Sequence, residues 1–228
     1  MRFRRKPTDQ PEGTGAETGT DEPTADPVED VVPAGPWDDA EVDLRDDPAF
    51  ADHVDLGGLL VAPPFDGADL RLQIDEQSGA VLAVLVAGED GALELRAFSA
   101  SRSDSLWPEV REAMQEEALA HEGQVSERTG AWGTELLCQM PVELPDGQSG
   151  IQPSRVIGVE KGRWLLRATL LGRPALEPED AAQWEDAIRS TVVRRGTQAM
   201  PPGEPIPLAL PADLEEQLRQ QAEEAGDG

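Results

Sequence analysis

A chain of 228 residues carrying 22 Gly and 20 Pro, crowded toward its two ends, points to one ordered core rather than two domains. Of the formal net charge of −27, residues 53–196 carry about −11, which disfavours direct nucleic-acid binding by the core through repulsion from phosphate. No apolar run reaches the roughly 18–20 residues that span a bilayer, and the basic residues 1–6 lead into Pro, Glu, Thr and Gly instead of an apolar leader, so neither membrane anchor nor signal peptide is expected.

Residues 7–52 hold fifteen acids against the single Arg45. Their Pro, Gly, Thr, Asp and Glu composition cannot offset the entropy of ordering, so residues 1–36 are expected to be a disordered charged tail. Residues 37–52 are acidic too, but Trp37, Val42, Leu44 and Phe50 are enough to lay an irregular arm on a core, and the sequence leaves the order of this arm open. From 53 to 196 the balance softens to twenty-four acids against thirteen bases, and this span reads as a single core. Only Lys6 and Lys161 are lysines, a pattern that fits a high-GC coding bias joined to a solubilising acidic surface; mimicry of nucleic acid is the sharper alternative.

Within the core, short apolar runs at 59–62, 70–75, 80–87 and 92–99 are separated by hairpin-length turn signals and read as an antiparallel meander. Leu70, Leu72 and Ile74 alternate with Arg71 and Gln73, which gives one dry and one wet face. The third run, Val81-Leu82-Ala83-Val84-Leu85-Val86, is apolar on both faces and is expected at the sheet centre, covered on both sides. Pro108 suits a first helical turn, and Trp107, Val110, Met114 and Ala118 recur at helical spacing until Gly123. Strands follow at 131–142, 155–160 and 163–171, the last two joined through Lys161-Gly162. Pro178 opens a second helix with Ala181, Trp184, Ile188 and Val192 on one face. Residues 197–228 then form a Pro-rich strap and a frayed helix. The expected fold is α+β: a mostly antiparallel twisted sheet packed with two amphipathic helices, a disordered acidic N-terminal arm and a Pro-rich C-terminal strap.

Phe98 with Ser101-Arg102, Trp107, Arg111, Gly133 with Glu135-Leu136, the run Gly162-Arg163-Trp164-Leu165-Leu166-Arg167, Val192-Val193-Arg194-Arg195-Gly196 and Met200-Pro201-Pro202 together resemble the domain of unknown function thirty-seven-ten, a family of high-GC Gram-positive bacteria. The resemblance covers roughly residues 35–211 and implies a cytoplasmic setting and one folding unit; it implies no activity.

Catalytic motifs are missing: Gly147-Gln148-Ser149-Gly150 has the wrong spacing for a nucleophile elbow, and no phosphate loop occurs. His53 and His121 are the only histidines and read as surface residues, so a His-rich metal site or triad is excluded by count. The single Cys138 excludes an internal disulfide and reads as a buried thiol of a reducing compartment, which again points to the cytoplasm. No cofactor or metal is expected. What remains is a set of strand arginines, Arg71, Arg96, Arg155, Arg163 and Arg167. Period-two geometry puts Arg163 and Arg167 on one face, roughly 13 Å apart, suited to an anion. Alternatively these arginines pair with Glu94, Asp75, Glu160 and Glu135 on neighbouring strands. The candidate binding residues are therefore Arg163, Arg167, Arg155 and Glu135, with Arg102, Arg111 and Trp132; Trp132, between Gly130 and Gly133, is expected to be the most exposed tryptophan. The leading functional expectation is a non-catalytic binding or adaptor module for another protein or a small anion. The runner-up is an enzyme with Glu135 as base and Arg163 or Arg167 as anion clamp.

Overall fold

The computed structural model of the protein describes residues 35–143 and 147–211. It is α+β. Seven antiparallel strands make the main sheet: β4 (Asp69–Ile74), β5 (Val81–Ala87), β6 (Gly91–Ser99), β7 (Gln124–Gly130), β8 (Gly133–Glu143), β9 (Ser149–Lys161) and β10 (Trp164–Gly172), in the order β4-β5-β6-β10-β9-β8-β7. A small sheet of order β1-β11-β3-β2 combines β1 (Trp37–Asp38), β2 (Val54–Asp55), β3 (Leu59–Val61) and β11 (Val192–Val193). The helices are α1 (Trp107–Ala120), α2 (Arg173–Leu176) and α3 (Ala182–Ser190), and none is long and apolar enough to cross a membrane. The expected disordered tail and frayed C-terminal helix lie outside the described residues.

Strand alternation builds two cores on opposite faces of the main sheet. Trp164, Leu166, Ala168 and Leu170 of β10 join Leu93 and Leu95 of β6 beneath Trp184 and Ile188 of α3 and beneath Leu59 and Val61 of β3. Leu165 points the other way and packs with Leu136, Cys138 and Val156 under Trp107, Val110 and Met114 of α1. Gly158 makes room for α1: a Cβ there would collide with the Trp107 indole, whose Nε1 donates to the Thr134 carbonyl at 2.8 Å. Glu160, on the adjoining stretch of β9, caps the helix. Its carboxylate accepts from Leu106 N at 2.8 Å, Trp107 N at 3.2 Å and Ser105 Oγ at 2.6 Å, satisfying amides that the first turn leaves unpaired. Glu160→Ala is expected to cost about 1 kcal/mol, the usual size of a lost cap, measurable by urea unfolding.

Several elements depart from the sequence-based expectation. β3 leaves the meander for the small sheet, and β5 is not central but lies beside the edge strand β4, with Leu82 42% exposed. Val192 is not helical: Thr191 is extended, and Val192–Val193 pairs with Leu60 and Leu59 on one side and Trp37 and Asp38 on the other, as suits a β-branched pair. Strand β7 carries no strand signal in its sequence, because Gln124 to Gly130 is mostly polar. It is an edge strand held by backbone pairing to β8 through the Ala131-Trp132 turn. The arm residues Trp37, Val42 and Leu44 pack on Phe50, Leu60 and Val192, and Trp164 Nε1 donates to Asp38 Oδ2 at 2.8 Å.

The strap also enters the sheet. β5 and β6 pair only from Val84↔Leu95 to Ala87↔Ala92 and splay apart beyond. Into that fork the strap lays its backbone: Ser99 N donates to Glu204 O at 2.8 Å, Ile206 N to Ala97 O at 2.9 Å, and Leu208 bridges Val81. Pro205 and Pro207 lack N–H groups, yet the intervening Ile206 keeps its donor and buries its side chain.

Candidate functional site

Two of the sequence candidates, Glu135 and Arg155, meet on the α3 face of the main sheet in a buried ionic network, and a third, Trp132, lies at its edge. Glu135 on β8 is 0% exposed and Arg155 on β9 is 2% exposed. Arg155 grips Glu135 with two parallel bonds, Nε at 2.7 Å and a terminal nitrogen at 2.9 Å, while its other terminal nitrogen reaches Glu185 of α3 at 2.7 Å. Arg128 on β7 adds a third bond to Glu135 at 3.0 Å. Burial by itself disfavours the charged guanidinium of Arg155, but Glu135 and then Glu185 outweigh it and raise its pKa. Gly130 permits this packing, since a Cβ there would strike the Glu135 carboxylate. Glu185 continues the chain to Arg189 at 3.0 Å, which lies 5.2 Å over the Trp132 ring. Trp132 is therefore no exposed platform; it is partly buried against the core, and its Nε1 donates to the Gly35 carbonyl at 3.1 Å. Glu135, offered by the sequence as a base, is fully buried and is held as the counter-ion of Arg155 and Arg128.

The remaining candidates disperse. Arg163 sits in the turn before β10 and donates to the Gly196 carbonyl at 3.0 Å, whereas Arg167 lies within the strand and pairs with Glu94. Arg111 is bound to Glu127 of β7 and lies 6.0 Å from the Trp107 ring centroid. Arg102 is exposed in the loop before α1, with no hydrogen bond or ion pair to the described residues. Of the expected carboxylate partners, Glu94 and Glu135 do pair with strand arginines, whereas Glu160 caps α1. Asp75 instead holds a turn, accepting from Ser78 N at 2.7 Å and Ser78 Oγ at 2.7 Å, and these bonds lower its pKa. Of the two expected surface histidines, His53 is partly buried, with its Nε2 2.9 Å from the Ser190 carbonyl.

Arg167 finds a different companion. Helix α1 packs on β7, β8 and β9, and among the described residues no helix packs on β4 or β5. Beside them the β6–β10 register sets Arg167 directly opposite Arg96. A single carboxylate, Glu94, serves both, 3.1 Å from Arg96 Nε and 3.3 Å from Arg167. Gln73 of β4 accepts from Arg96 at 3.0 Å, and the Arg167 guanidinium lies 5.5 Å over Phe98. Burial, reinforced by the like charge of Arg96 and only partly offset by Glu94, lowers the pKa of Arg167. Both Nε atoms are buried; Arg96 Nε faces Glu94 at ion-pair distance without an aligned hydrogen bond, and Arg167 Nε makes no hydrogen bond within the described residues. Arg96 and Phe98 also line a cavity of about 620 Å³ in the β5–β6 fork, walled by Leu82, Met200, Pro205 and Leu208. The sequence displays Arg96 on a strand, but nothing local places it against Arg167, because the two are brought together only by pairing of distant strands.

Comparison with curated proteins gives no match. Among solved structures, a protein of Bacteroides thetaiotaomicron VPI-5482 is similar at 13% identity and a TM-score of 0.37, over 63% of this chain and 48% of that one, so this chain spans about half its length. PsbP (CyanoP) of Synechocystis sp. PCC 6803 is similar at 12% identity and a TM-score of 0.34, over 60% of this chain and 86% of that one. The family model described as "Protein of unknown function (DUF3710)" matches residues 35–217, the span that holds both sheets, the helices and the strap, and the chain belongs to that family.

Proposed function

We propose that this chain is a non-catalytic binding module of the cytoplasm that takes an anionic group on the Arg96–Arg167 pair. One observation carries the reading: two guanidinium groups stand directly opposite each other on one sheet face with one carboxylate between them. Like charges in that position destabilise a sheet by up to about 1 kcal/mol. A local arrangement that works against the fold is where a site is to be looked for. The trio carries a net positive charge in a chain of −27, so an anion meets local attraction here and repulsion over much of the remaining surface. The burial of Glu135 within its arginines supports the non-catalytic reading over one that uses this carboxylate as a base.

Titration of the full chain with inorganic phosphate, followed calorimetrically, tests this. Arg167→Gln and Arg96→Gln are each expected to weaken phosphate binding about tenfold, the size of one charge-assisted hydrogen bond. Unfolding free energy should change by no more than about 1 kcal/mol, because Arg167→Gln removes a like-charge opposition along with a partly exposed ion pair. Equal phosphate affinity in wild type and both variants sinks the proposal.

A further inference from the structure

The cavity beside the arginine pair has a shape and lining that the anion seat alone does not explain. Its volume of about 620 Å³ falls within the roughly 300–1,000 Å³ of small-molecule sites. Its walls are mostly apolar: Val81 and Leu82 from β5, Phe98 from β6, and Met200, Pro205 and Leu208 from the strap. Leu82 is 42% exposed, a large aliphatic side chain at the wall of an open cavity. Arg96 and Phe98 belong to both features, so cavity and anion seat are continuous.

We infer that the ligand is a small amphipathic monoanion: an aliphatic chain seated in the β5–β6 fork, ending in a carboxylate held by Arg96 and Arg167. This rests on the anion-binding reading above and specifies its substrate class. Charge complementarity sets the head group. Two guanidinium groups with one contacting carboxylate, Glu94, favour a single negative charge, and Glu117 of α1, which acts on Arg167 through space, further disfavours a second. Glu204, exposed at the strap side of the same cavity, meets a second carboxylate with repulsion. Chain length sets the affinity, since each buried methylene is worth about fourfold in binding. The fork itself has a structural cause. Because the strap bonds to the end of β6 through Ser99 and Ala97, β5 cannot close against it there, and the side chains flanking the gap stay unpacked.

The experiment is a tail-length series on the full chain: acetate, hexanoate, octanoate and decanoate, each below its micellar concentration, with decanedioate as the dianion. Affinity is expected to rise at least tenfold from hexanoate to octanoate, and decanedioate should bind at least fivefold more weakly than decanoate. Leu82→Ser, at an exposed position and checked for an unchanged melting temperature, should flatten the series; Met200→Ser provides the same test from the strap side. A wild-type series that is flat from acetate to decanoate, while phosphate still binds and still depends on Arg167, overturns the tail assignment and leaves the anion seat standing. Absence of phosphate binding removes both. If Leu82→Ser changes the sedimenting mass and the wild-type series is flat, a second copy of this chain covers the fork and the proposal fails.

Discussion

Glu135→Ala is expected to lower the free energy of unfolding by about 3–5 kcal/mol, a large share of the roughly 5–15 kcal/mol that holds a typical domain folded. The cost does not come from losing an attractive pair as such. It comes from leaving Arg155, 2% exposed, with two of its bonds gone and only Glu185 to balance it in a site that water cannot reach. A paired replacement separates these accounts. Glu135→Leu with Arg155→Met removes both charges, and the double variant should recover most of the lost stability, because a buried ion pair exchanged for apolar side chains is often neutral. Chemical denaturation of the two singles and the double gives the coupling directly. If Glu135→Ala costs less than about 1 kcal/mol, the carboxylate is not the counter-ion described, and a functional role for it reopens.

Trp164→Ala should cost a similar amount, about 3–5 kcal/mol, through the cavity left by the largest fully buried side chain of the main core. Its consequences extend to the acidic arm. Trp164 Nε1 donates to Asp38 Oδ2, and β1 is held by only two paired residues of β11, flanked by Trp37 N donating to Thr191 O at 2.9 Å and Asp39 N to Val193 O at 3.1 Å. Amide exchange at Trp37 and Asp39 should therefore accelerate beyond the global loss of stability. Trp164→Phe, which keeps most of the ring and loses the donor, should accelerate exchange at these two amides while costing clearly less overall. Unchanged exchange in both variants would mean that the arm is anchored by Trp37, Val42 and Leu44 alone.

Some of this architecture is legible in the chain because its cause is local. Period-two alternation in Trp164-Leu165-Leu166-Arg167-Ala168 is a property of consecutive residues, and it assigns Trp164 and Leu165 to opposite cores before any partner strand is known. The Lys161-Gly162 turn is legible for the same reason, with Gly162 at φ 57° where other residues are strained. Helix α1 follows from Pro108 and the spacing of Trp107, Val110 and Met114. Edge strand β7 is not legible, since its stability comes from the backbone of β8 and leaves little imprint on its polar side chains. Period two predicts facing but not pairing, so Arg167 could be assigned a face and not its neighbour.

What the sequence determined alone is the class of fold, helices α1 and α3, and the alternation that sorts apolar side chains into buried faces. What only the tertiary structure decided is which charges meet. Glu135 with Arg155 is a counter-ion pair because β8 and β9 lie beneath Glu185 of α3, and Arg96 faces Arg167 because β6 pairs with β10, some seventy residues away in the chain. The β5–β6 fork exists because the strap takes the hydrogen bonds of Ala97 and Ser99. Propensity and periodicity act over a few residues and are written in composition. Strand pairing is settled by backbone hydrogen bonds that every sequence possesses, so the choice among partners rests on the fit of the whole core.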